Sequence, residues 1–177
     1  MQYFWIHGYE STSLQDLLEV MRLSKSSFYQ TFGSKHKLFQ RCINHYQDSL
    51  RSSMLSDLDQ SDSARDFIES AFFSVADEAG KPGDKQGCLL MNTASEFAQR
   101  DPVVARLVST GTEKLNKVFL TAVKRAQQEG DISPENDSQA LANYLISSMS
   151  GLKTMVKAGM NKKTTKDVVE LTLKALD

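Results

Sequence analysis

Apolar residues recur at helical spacing along most of the chain, and no run alternates with the two-residue period of a strand. The pattern predicts an all-α protein whose helix ends are marked by local signals. Tyr3 to His7 reads as the end of a helix closed by Gly8. Ser13 with Asp16 fits a capping box for a short helix that carries Leu14, Leu17, Leu18 and Met21 on one face. A turn at Arg22-Leu23 leads to Ser24, the N-cap of a second short helix, Lys25 to Phe32. Gly33-Ser34 then opens a longer helix bearing Leu38, Phe39, Cys42, Ile43, Tyr46 and Leu50.

The polar stretch Ser56 to Ser63 is the expected boundary, dividing the chain into residues 1–55 and 56–177. Beyond it, Asp62 or Ser63 opens a helix that Gly80 closes, and Leu89 to Phe97 forms a mostly apolar one. Asp101-Pro102 is an N-cap with proline in the first turn of a long helix reaching Gly130, with Gly111 inside it. Asp137 or Ser138 starts a helix ending at Gly159, and Thr164 with Asp167 is expected to cap the last one, to Leu176. In the last two helices the stripe Leu141, Tyr144, Leu145, Ser148/Met149, Leu152 and Met155/Val156 is followed by Val168, Leu171/Thr172 and Leu176. Small residues Ser147, Ser148, Ser150 and Gly151 accompany it. A symmetric seam between two copies is preferred over an internal core for this stripe.

Composition narrows the class. A hydrophobic fraction of 40% in 177 residues supports a packed core, and three Pro with nine Gly leave long helices undisturbed. No apolar run approaches the roughly 20 residues that span a bilayer. The start MQYFWIHGYE lacks the basic region and cleavage site of a signal peptide, so a cytoplasmic, non-membrane protein is expected.

Charge is distributed unevenly. From Arg22 to Arg41 there are five Lys/Arg and no acid, whereas the whole chain has a net charge of −1. An acidic chain that concentrates cations on one small helical unit offers that unit to a polyanion, with double-stranded DNA leading. In a helix-turn-helix the second helix enters the major groove by its N-terminal residues. Here Phe28 and Phe32 can face inward, leaving Lys25, Ser26, Ser27, Tyr29 and Gln30 outward. Lys25 and Gln30 suit base edges, while Tyr29, Thr12 and Lys35 suit phosphate oxygens, with Ser13 beside the helix N-terminus.

Signals for catalysis are weak. There is no phosphate-binding or dinucleotide glycine fingerprint, no HExxH and no nucleophile elbow, and no enzyme is expected. Cys42 and His45 share a helix face, but two ligands are too few for a metal site, and burial is the preferred reading. No metal or cofactor is expected. Cys88 opens an apolar helix and could meet electrophiles there; ordinary burial is preferred. His7 and His36 read as surface or phosphate-adjacent residues.

The N-terminal unit resembles the DNA-binding unit of TetR/AcrR-type transcriptional regulators. The resemblance rests on Gly8-Tyr9, Thr12-Ser13, Ser24-Lys25-Ser26-Ser27-Phe28-Tyr29, Phe32-Gly33-Ser34-Lys35 and Leu38-Phe39. Gly87 to Val108 is a weaker echo of the start of the ligand domain in one branch of the family. The resemblance implies an all-α homodimer with an N-terminal helix-turn-helix domain and a larger C-terminal helical ligand-binding and dimerisation domain. It implies pairing through the last two helices. It further implies a near-palindromic operator and release from DNA by a small effector, hence a repressor. Phe72, Met91, Phe97, Leu107, Gly111 and Leu115 are the expected pocket residues, suited to an apolar or aromatic molecule. Only seven residues precede Gly8, so the first helix is expected to be incomplete relative to the family. The alternative expectation is a helical small-molecule-binding protein with a vestigial DNA-binding unit.

Overall fold

A computed structural model describes residues 1–83, 85–97 and 100–177. Among these, helices α1 (Gln2–His7), α2 (Leu14–Met21), α3 (Lys25–Phe32) and α4 (Lys35–Gln60) form the N-terminal part. They are followed by α5 (Ala64–Gly80), α6 (Leu89–Phe97), α7 (Pro102–Glu129), α8 (Ser138–Lys157), α9 (Lys162–Leu173) and a terminal 3-10 turn, Lys174–Leu176. There is no strand among the described residues.

Most helix starts follow from short polar side chains that satisfy the otherwise unpartnered first-turn N–H groups. The Ser13 hydroxyl accepts from Asp16 N–H while the Asp16 carboxylate accepts from Ser13 N–H, completing a capping box. Ser24, Ser34 and Ser63 cap α3, α4 and α5 in the same way. Asp101 and Asp137 each accept two backbone N–H groups at the starts of α7 and α8. Gly33, at φ 76°, occupies the left-handed region that lets the chain turn abruptly from α3 into α4.

Two differences from the sequence expectation concern helix ends. The polar stretch 56–63 does not interrupt the chain where it begins: α4 continues to Gln60 and breaks only at Ser61. Leu58, buried, gives that last turn an apolar anchor that outweighs its polar neighbours. The last helix is capped by Asn161, whose side-chain Oδ1 accepts from Thr164 N–H at 2.9 Å, and not by Thr164. Asp167 instead pairs with Lys163 at 2.8 Å.

Packing produces two apolar cores. One gathers α5, α7, α8 and α9 around Phe67, Ile68, Phe72, Phe119, Leu145 and Leu173. The other gathers the N-terminal helices, α6 and the start of α7 around Phe4, Phe28, Phe39, Ile43, Leu90 and Phe97. Met54 and Ile146 contribute to both. α7 lies along α8 and α4, so α4 belongs to the N-terminal unit at one end and to the larger bundle at the other. Gly111 permits the α4–α7 approach. A Cβ there would fall 2.8 Å from Gln47 Oε1 and 2.9 Å from a Leu90 methyl.

Candidate nucleic-acid interface and internal cavity

Helices α2 and α3 are held by a small core in which Phe28 is fully buried and Leu17 nearly so. Because Phe28 points inward, the helical repeat turns Lys25, Ser26, Tyr29 and Gln30 outward. Tyr29 is 46% exposed, with one edge of its ring against Phe28 at 5.8 Å between centroids and the rest open to solvent. Ser27 is partly committed: its hydroxyl lies 2.9 Å from that of Ser24, and its N–H donates to Ser24 Oγ.

Three expected DNA-contact side chains are occupied within the fold. Thr12 is fully buried and its hydroxyl donates to Gly8 O at 2.6 Å. The Ser13 hydroxyl donates to Asp16 Oδ2 at 2.7 Å. That hydrogen bond is the main reason the Asp16 carboxyl is held below its ordinary value. The Lys35 ammonium donates to Tyr9 O and Thr12 O at 2.9 and 2.7 Å and lies 4.0 Å over the Tyr9 ring, so two of its three donors brace the α1–α2 connection. His36 is half-buried, with its Nε2 3.3 Å from Asp101 Oδ2. His7 is exposed.

The connection between the two parts depends on a residue that carried no sequence signal. Glu96, near the end of α6, accepts the backbone N–H of Tyr9 at 3.2 Å and of Glu10 at 2.8 Å. The Tyr9 ring packs on Phe39 and Phe97, and burial, followed by the nearby carboxylates of Glu10, Asp101 and Glu96, pushes its phenol above the ordinary value. A carboxylate gripping backbone N–H groups leaves no motif, because its partners can be any residues.

Inside the bundle lies a cavity of about 210 Å³. α4 lines it with Tyr46, Leu50, Ser53, Met54 and Asp57, the one-face spacing of a helix. Leu90 and Met91 of α6, Leu115 and Phe119 of α7, Met149 of α8 and Phe67 and Ala71 of α5 add to its apolar wall. Of the expected pocket residues, Met91 and Leu115 line it. Phe72 is fully buried against Phe119 with their rings 6.2 Å apart, Phe97 belongs to the Tyr9 cluster, and Leu107 packs on the N-terminal core. Gly111 serves close helix packing rather than an open wall. Cys88 is buried at the cavity edge and accepts a hydrogen bond from Tyr46 OH at 3.7 Å. Burial, then the neighbouring Cys88, drives the Tyr46 phenol far above its ordinary value, so it stays a neutral donor. Cys42 is buried and His45 exposed, so the two do not form a site.

Comparison with known proteins accords with this arrangement. Residues 1–42 match the family model for bacterial regulatory proteins of the tetR family, and residues 65–171 match the tetracyclin repressor-like C-terminal domain. The HTH-type transcriptional regulator YezE of Bacillus subtilis (strain 168) is 29% identical over 178 residues, covering 100% of this chain and 92% of that protein. The HTH-type transcriptional repressor ComR of Escherichia coli (strain K12) is 23% identical, covering 98% of this chain and 83% of its own length. Among solved structures, a cysteine mutant of the TetR family transcriptional regulator CifR complexed with 26-base-pair operator DNA superposes with a TM-score of 0.85. The identity is 26%, with 98% of this chain and 91% of that one covered. Among the described residues no helix is long and apolar enough to cross a membrane. With both halves of the chain matched and a helix-turn-helix built as α2–α3, the chain belongs to the TetR family of DNA-binding transcriptional regulators.

Proposed function

We propose that the protein is a ligand-responsive repressor that binds a near-palindromic operator as a homodimer and leaves it when a small, largely apolar effector enters the cavity. The observation that carries this reading is the double membership of α4. Its first turns support α2 and α3, and its later turns, from Tyr46 to Asp57, line the cavity. An effector that shifts α4 therefore shifts the helix that faces DNA. Residues 1–55 act as the DNA-binding unit and 56–177 as the effector and dimer unit, with α4 crossing between them.

Lys25, Ser26, Tyr29 and Gln30 are the proposed contacts to DNA, with the N-terminal N–H groups of α2 and α3 facing phosphates. Thr12, Ser13 and Lys35 position this surface instead of touching it. The proposed dimer seam is the outer face of α8 and α9. There Tyr144, Met155 and Leu171 are 39%, 50% and 66% exposed, and Ser147 and Gly151 leave room for close approach. The other half of the expected stripe, Leu145, Leu152 and Val156, is core within one copy. ComR is a repressor and CifR was solved on operator DNA, which supports the sign and the partner. The role is binding in the cytoplasm, not catalysis.

The test is fluorescence anisotropy with duplex from the region upstream of the protein's own gene, at two salt concentrations and against scrambled competitor. Binding about a thousandfold tighter than to scrambled DNA, weakening as salt rises, is expected. Equal affinity for both sequences would refute the repressor reading and leave the small-molecule carrier.

A further inference from the structure

The cavity does not end in an apolar wall. Tyr46, Leu50 and Lys153 are shared between it and an outer recess of about 350 Å³ that also includes Trp5, Glu78, Lys81 and Lys85. Among the described residues this mouth holds three lysines against one glutamate. Lys153 is the informative one. α8 carries only two charged residues, Lys153 and Lys157, and the first of them is set on the cavity. Placing an ammonium beside an apolar chamber is costly unless something compensates its charge. Its partner within the chain, Glu78 Oε2, lies 3.4 Å away, longer than the roughly 2.7–2.9 Å of a well-formed charge-assisted bond.

Of the other polar groups around the chamber, the Ser53 and Ser150 hydroxyls make no hydrogen bond among the described residues and can serve a neutral or a charged ligand; the rest are engaged or turned away. Ser74 donates to Ala71 O and Thr112 to Val108 O, both turned back onto their own helices. Tyr46 OH already donates to Cys88. Asp57, the acid on the α4 wall, is exposed to solvent. The lining carries one cation, Lys153 at the mouth, and one acid, Asp57, turned to solvent, so a molecule with an apolar body and an anionic end suits the mouth better than a cationic one.

We propose that the effector is a small amphipathic carboxylate. Its body lies among Leu50, Met54, Leu90, Met91, Leu115 and Phe119, and its carboxylate is held by Lys153 at the mouth. The proposal rests on the effector reading above and names the class of molecule. The mouth also explains how such an anion is felt by the DNA-binding part. Trp5 of α1 lines the recess, donates from Nε1 to Gln86 O at 3.2 Å and packs edge-on against Tyr46 at 4.9 Å. A carboxylate drawn to Lys153 competes with Glu78 and sits against α1.

The experiment measures binding of octanoate, octanol and octylamine by titration calorimetry to the full chain and to Lys153→Met and Lys153→Arg. Octanoate is expected to bind about tenfold or more tighter than octanol, with octylamine weakest. Lys153→Met abolishes that preference and Lys153→Arg retains it. Equal binding of acid and alcohol, preference for the amine, or no binding of any of the three overturns the proposal. So does a preference that survives in Lys153→Met. Adding octanoate to the DNA complex separates the two readings: Lys153-dependent binding without DNA release keeps the carboxylate site and removes its regulatory role. Release that persists in Lys153→Met removes the site.

Discussion

Replacing Glu96 by alanine breaks the polar clasp between α6 and the α1–α2 connection. The carboxylate accepts two backbone N–H groups, from Tyr9 at 3.2 Å and Glu10 at 2.8 Å. A hydrogen bond to a charged group is worth about 1.5–3 kcal/mol when well buried. Here the bond to Tyr9 is long and partly buried, and the shorter one to Glu10 is exposed, so each belongs below that range. Together they contribute about 2 kcal/mol. For a chain of this size about 2–4 °C of melting temperature accompanies each kcal/mol, so Glu96→Ala lowers the midpoint by about 4–8 °C. Thermal unfolding followed by circular dichroism gives that number, and native-state hydrogen exchange locates it. The amides of Tyr9 and Glu10 exchange faster in the variant, whereas those in the middle of α7 follow only the global change. An unchanged midpoint together with unchanged exchange at residues 9 and 10 would refute the clasp.

Phe28→Ala empties the centre of the helix-turn-helix and costs about 3–5 kcal/mol, read as a lower urea midpoint; a cost below about 1 kcal/mol would contradict its full burial. Gly111→Val places a Cβ 2.8 Å from Gln47 Oε1 and adds two methyl groups against Leu90, destabilising the fold by about 3 kcal/mol; an unchanged midpoint would mean the helices do not approach as closely as described. Lys25→Ala weakens operator and scrambled DNA alike if Lys25 meets a phosphate, reducing the salt slope by about one; specific loss at one base pair would assign it to a base edge instead. The Asp16 carboxyl is held below its ordinary value by the Ser13 hydroxyl, so its cap supports the fold above the ordinary carboxylate range and is lost as pH falls through that depressed value. Ser13→Ala therefore flattens the acid limb of the stability profile, and an unaltered limb would exclude the capping box as its source.

Helix starts were legible because a cap is decided within four residues. Ser13 with Asp16, Ser24, Ser34, Ser63, Asp101-Pro102 and Asp137 each place their oxygen where the sequence spacing says. The last helix was misplaced because Asn161 and Thr164 offer similar chemistry three residues apart, and only the backbone shows which oxygen receives the N–H. Which side chains of the DNA-facing unit are free was less legible. Lys35 reaches carbonyls that lie 23 and 26 residues earlier, a distance no local pattern spans. The cavity was the least legible part. Met91 and Phe97 stand on the same helix, yet one lines the chamber and the other packs on Tyr9. A void is defined by several helices at once, so one helix's periodicity cannot locate it.

The division of labour on α3 bears on how such a protein changes over evolutionary time. Ser24, Ser27 and Phe28 hold the helix in place, whereas Lys25, Ser26, Tyr29 and Gln30 make no side-chain hydrogen bond or ion pair among the described residues. Substitutions at those four exposed positions change stability by only about 0.5 kcal/mol or less. Mutational drift can therefore rewrite the outward face of α3 while the fold, the cavity and the clasp through Glu96 remain under separate selection. With those four side chains as the proposed contacts to DNA, a duplicated copy of the gene starts with its folding already secured and its target sequence open to revision.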